Sequence, residues 1–153
     1  MPERMRWLEN RIERVRFSRA EVVRYWQKAV AKARDARIAG LSVDTALEAA
    51  YSAGRQAAAA VLASRHIRSR GALGHHEATF AAVAALELPG CDDLLADSEG
   101  VRMARHEADY HAASASSGDL KSAVDWVNRT LPLLRAALVA GDPGLDAHLD
   151  SGP

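Results

Sequence analysis

From Ala49 to Ala63 the chain reads Ala-Ala-Tyr-Ser-Ala-Gly-Arg-Gln-Ala-Ala-Ala-Ala-Val-Leu-Ala, and this run constrains the fold more than any other feature. Alanine is the strongest helix former, and side chains this small let a neighbouring backbone pack very close. The other long segments are also sparse in proline and glycine, and none alternates apolar with polar residues as a half-buried strand does. The sequence therefore predicts an all-α fold, an antiparallel helical bundle of four to six helices.

The helices can be placed from their apolar spacing and their ends. Trp7, Leu8, Ile12 and Val15 recur at helical spacing and predict a short, charged amphipathic helix as an N-terminal extension over 1–16. Ser18 and Glu21 have capping-box spacing, and Phe17 is placed to staple onto the turn that follows. That second helix runs to Gly40, and Ser42 caps a third that contains the alanine tract. The segment 64–74, with two glycines and several basic residues, reads as a loop. Helices over 75–87 and 92–110 follow, and a last one is capped by Asp119, with a kink or a loosened turn at Pro132. The bundle spans 17–140, and 141–153 reads as a flexible tail.

With 153 residues, 48% hydrophobic and 26% charged, the chain has the composition of one globular domain rather than a disordered segment. Twenty basic and twenty acidic residues cancel, which excludes a uniformly basic nucleic-acid coat. The charge is nevertheless uneven. Residues 1–40 hold eleven Lys and Arg against five acids, an excess of six that the remainder reverses. Such a sector attracts phosphates or an acidic partner, or complements a second copy of the chain. Cys91 is the single cysteine, no apolar run is long enough for a bilayer, and Met1–Arg16 is too charged for a signal peptide. A reduced, cytoplasmic protein without membrane contact is the expectation.

Six histidines invite a search for metal ligands, but His75 and His76 diverge by about 100° on a helix and no His-Glu-x-x-His element exists. Neither a metal nor another cofactor is expected. The densest functional segment is Val101-Arg-Met-Ala-Arg-His-Glu-Ala-Asp-Tyr-His111. Its i,i+4 pairs (Arg102 with His106, Arg105 with Asp109, Glu107 with His111) suit a solvated helix face that carries ordinary salt bridges.

The same segment resembles the signature of the HEPN superfamily, an arginine followed after four to six residues by a histidine, with a polar residue beside the arginine. Here these are Arg105, His111 and His106, and Arg105-His-Glu-Ala-Asp-Tyr110 is similar to the Arg-x-x-Ala-Asp-Tyr string of one prokaryotic HEPN group. The alanine-rich third helix, the His-led 75–80 segment and the order of helices are similar as well, over roughly 17–140. The resemblance implies a HEPN-like bundle and a metal-independent endoribonuclease, toxin-like, with a nucleotidyltransferase-like antitoxin as partner. His111 would be the acid/base group, Arg105 the phosphate ligand and His106 the supporting polar group. Arg102 and the loop residues Arg65, Arg68 and Arg70 would guide the RNA backbone.

On a regular helix Arg105 and His111 differ by about 240° and about 9 Å along the axis. The resemblance resolves this with a homodimer whose two signature helices form one cleft. Toxin-type members carry a tyrosine two residues after the histidine, where this chain has Ala113. That departure supports the alternative of a non-catalytic HEPN dimer that binds a nucleotide or a protein.

Overall fold

The computed structural model describes residues 3–71, 75–110 and 115–150. Over these residues the chain is a mostly helical bundle, the class that the sequence predicts. In chain order it forms α1 (Glu3–Glu9), β1 (Ile12–Arg14), α2 (Arg19–Asp35), α3 (Val43–Ser64) and β2 (Ile67–Ser69). Then come α4 (His75–Ala85), α5 (Leu94–Tyr110), α6 (Ser117–Gly141), a 3-10 turn (Pro143–Leu145) and α7 (Asp146–Leu149).

The alanine-rich α3 is the centre. It packs against α2, α4, α5 and α6, and its buried positions run around nearly the whole helix, from Ala46 and Leu47 to Leu62 and Ala63. A helix apolar on all sides belongs in the interior. Its small side chains bring the neighbours close: a Cβ on Gly54 would lie 2.0 Å from Cη2 of Trp126 on α6. The helix starts where the sequence places it, with the Ser42 hydroxyl accepting from the Thr45 N–H at 3.2 Å. Ser18 does the same for α2 through the Glu21 N–H.

The structure corrects or adds to the sequence expectations at four points. First, the N-terminal helix stops at Glu9, and Ile12–Arg14 pairs antiparallel with Ile67–Ser69, inside the segment expected to be a loop. The β-branched Ile12 and Ile67 suit a strand, and Glu13 faces Arg68 across the ribbon with an Nη2–Oε1 distance of 2.6 Å. Second, Phe17 packs its ring 5.6 Å from that of His66, which adopts a φ of +64° just before β2. Third, α6 is capped by Ser116, and Asp119 is its reciprocal partner in a capping box. The helix then continues unbroken past Pro132 to Gly141.

Fourth, residues 142–149 do not trail off as a tail. Asp142 accepts the Gly144 N–H and is held by Arg19 of α2 at 2.9 Å, and Arg135 grips both Asp146 and Asp150 at 2.7 Å. Leu145 is 0% and Leu149 4% exposed. No helix among the described residues is long and apolar enough to cross a membrane.

The close α3–α6 contact yields a direct test. Gly54→Ala gains about 1 kcal/mol of helix propensity but drives a methyl into the Trp126 ring, an overpacking cost of roughly 1–3 kcal/mol or more. The expected outcome is a net loss of stability in urea unfolding. An unchanged or raised midpoint would mean that α6 does not approach α3 this closely.

Candidate functional site

On α3 the residues Glu48, Tyr51 and Arg55 stand at i, i+3 and i+7, so they form one polar stripe on the helix. α5 crosses this stripe and contributes Arg102 and Arg105. The Arg105 guanidinium lies over the Tyr51 ring, 4.9 Å from its centroid, and its Nε donates to Glu48 Oε2. One carboxylate and one aromatic face thus fix its position. Arg102 donates through Nε to Glu99 Oε2 at 3.1 Å and reaches Glu77 on α4 at 3.3 Å. Its hydrogen bond to Glu99 raises the Arg102 pKa and holds the Glu99 carboxyl below its usual range.

Tyr51 is only 1% exposed. Its ring lies 5.9 Å from that of His76 and 5.8 Å from Phe80, and Phe80 meets Trp126 edge-on at 5.8 Å. The phenol oxygen is buried without a hydrogen-bond partner among the described residues. Burial pushes its pKa up to about 12, against the opposing pull of Arg105, Arg55 and Arg102. Arg55 is shifted the other way: burial, above all, lowers its pKa, and the neighbouring Arg105 adds to that. The cluster therefore gathers three guanidiniums and three carboxylates around one buried phenol.

Of the residues singled out in the sequence, Arg102 and Arg105 come together here. Arg105 makes a tertiary contact with Glu48, and Arg102 pairs with Glu99 at i−3. The side chain of Asp109, the i,i+4 partner expected for Arg105, lies outside the described residues. His106 is exposed on α5, and His111 lies outside the described residues. Arg65 places its guanidinium beside Gly141 at the end of α6, where the helix dipole is negative. Arg68 pairs with Glu13, and Arg70 is exposed, its backbone N–H closing the ribbon onto Arg11 at 2.7 Å. No group of three or more potential metal ligands occurs among the described residues.

Tyr51, Glu48, Arg55, Glu77 and Glu99 were not singled out as site residues from the sequence. The i, i+3, i+7 spacing of Glu48, Tyr51 and Arg55 is the signal that marks this face. No family model, curated protein or solved structure matches the chain. The ground for a function is therefore the chemistry of this cluster.

The buried phenol makes the stability depend on pH. Its pKa is raised on folding, so the folded state keeps a proton that the unfolded chain releases above pH 10. The associated stability is complete below pH 10 and is lost as pH rises toward 12, at up to about 1.4 kcal/mol per pH unit. Tyr51→Phe removes both the titration and an unsatisfied hydroxyl. The variant should be at least as stable as the parent at pH 8 and should lose less between pH 9.5 and 11. Parallel urea midpoints across that range would contradict this reading of Tyr51.

Proposed function

We propose that the chain is a HEPN-like RNA-binding protein in which Arg105 holds a backbone phosphate and which cleaves RNA without a metal. The observation that carries this reading is the placement of the Arg105 guanidinium, fixed by Glu48 and the Tyr51 ring with Arg55 and Arg102 close by. A planar fork of N–H donors held in position matches the non-bridging oxygens of a phosphodiester.

In the reaction the ribose 2′-oxygen attacks phosphorus, the 5′-oxygen leaves with a proton, and a 2′,3′-cyclic phosphate remains. Arg105 stabilises the charge that builds on the phosphorane. His111 exchanges the protons, its ordinary pKa of about 6.5 suiting both directions, and His106 supports it. A homodimer brings two signature helices to one cleft. Arg102, Arg65, Arg68 and Arg70 lead the strand toward it, and an antitoxin would silence the site by covering it.

The carboxylates favour a second reading. Arg102 and Arg105 are both already paired, as suits a non-catalytic dimer whose nucleotide or protein ligand exchanges for Glu48.

Purified protein incubated with RNA in EDTA separates the two. Cleavage should fall at least a hundredfold in Arg105→Ala and in His111→Ala, and light scattering should give twice the mass of one chain. Equal cleavage by all three proteins would overturn the assignment of Arg105 and His111. Absent cleavage, with RNA retained by the parent and released by Arg105→Ala, would support the binding module. Absent cleavage and absent retention would remove RNA from the function.

A further inference from the structure

A cleft of about 180 Å³, lined in part by Arg55 and by no residue of α5, opens between α2, α3, β2 and α4. Leu62 and Ile67 supply apolar lining, and Tyr25 lines the cleft as well. An apolar cavity of about 150 Å³ admits benzene, so this one has room for a body of that size with a small polar group attached.

Of the polar groups of the cleft, Thr79, Ser69 and Arg68 have partners among the described residues and Arg55 does not. Thr79 donates its hydroxyl to Ser69 Oγ at 2.9 Å. Arg68 is taken by Glu13 at 2.6 Å, with Glu21 also close enough to act on its charge. Arg55 makes neither an ion pair nor a hydrogen bond among the described residues, though it is partly buried. The carboxylate nearest to it in effect is Glu48, which already holds Arg105. Two guanidiniums thus share one acid, and Arg55 is left as a partly buried cation lining the cleft. Burying a charge without a partner is costly, and an anion brought into the cleft relieves that cost.

We infer that this cleft is a binding site for a small monocarboxylate with an apolar body about the size of one aromatic ring. The carboxylate pairs with the Arg55 fork, and the body covers Leu62 and Ile67. A single negative charge is what the site balances. The second charge of a phosphate monoester would face the Glu21 carboxylate in the same wall, and that repulsion selects against it. This inference shares Arg55 with the surroundings of Arg105 but uses neither Arg105 nor either histidine of the signature, so His111→Ala should leave it untouched.

Benzoate is the probe, titrated into the full chain and followed by calorimetry and by NMR of the Arg55 side chain. Saturable binding in the millimolar range or tighter is expected. Benzyl alcohol, which lacks the charge, and phenyl phosphate, which carries more of it, should each bind at least tenfold more weakly. Arg55→Gln should weaken benzoate at least tenfold. Ala59→Leu fills the cleft from α3 without touching the charge, should do the same, and decides the matter if Arg55→Gln does not fold. The inference is overturned if benzoate shows no saturable binding, if a folded variant binds it as the parent does, or if phenyl phosphate binds more tightly.

Discussion

The structure depends on how closely α6 and α2 approach α3. A helix of alanines has little apolar surface of its own to bury. Its contribution comes from letting other helices bring their larger side chains, Trp126, Leu134 and Leu138 on α6 and Val22 and Trp26 on α2, into one continuous core. Dispersion is worth about 0.1–0.2 kcal/mol per atom pair, and a gap of about 0.5–1 Å forfeits roughly a quarter to a half of it. The Cβ missing at Gly54 is therefore what allows the indole of Trp126 to lie against the α3 backbone. The aromatic series from Trp126 through Phe80 to Tyr51 then transmits that seat to the surface where α5 crosses.

The same packing determines where charge can appear. Almost every face of α3 is covered, so Glu48 and Arg55 emerge only where the covering helices leave a gap. In that gap the carboxylates remain half-exposed, so water screens the ion pairs, while groups that sit deeper are penalised if unpaired. Arg102 and Arg105 avoid that penalty by taking carboxylates from three helices. The Tyr51 hydroxyl and the Arg55 guanidinium do not, and both are shifted by burial in the direction that disfavours their charged forms. A fold that leaves two such groups uncompensated side by side, while satisfying their neighbours, has its polar imbalance concentrated at one place on α3.

Much of the fold was legible in the sequence, because helix periodicity and caps are local signals. Ser18 and Ser42 start their helices where the hydroxyl-to-N3 spacing says they should. The ribbon was not legible. Three-residue strands are too short for alternation to show, and Ile12 and Val15 fit a helical stripe as well as a strand. Pairing with Ile67–Ser69 decides between them, and that information lies more than fifty residues away. The site was half legible for a related reason. Arg102 and Arg105 stand out by density, but their partners Glu77 and Glu48 lie on other helices, and local i,i+4 arithmetic chose different ones. Tyr51 was hidden by its own burial, since an aromatic residue on a core face gives no sign that its hydroxyl is unsatisfied.

The uneven charge along the chain finds part of its answer within one molecule. The basic N-terminal sector meets the acidic C-terminal segment where Arg19 binds Asp142, and the ribbon sets Glu13 against Arg68. Exposed pairs of this kind are worth about 1 kcal/mol or less, so they do not hold the ends in place. Leu8, Leu145 and Leu149 do, each buried in the common core. What the pairs supply is register: bidentate contact at Asp142 fixes where the chain leaves α6, and so aims Leu145 inward rather than along the helix axis. The arginines left exposed on α2, among them Arg24 and Arg34, are then a local surplus on one face. They are not evidence of a coat spread over the whole protein.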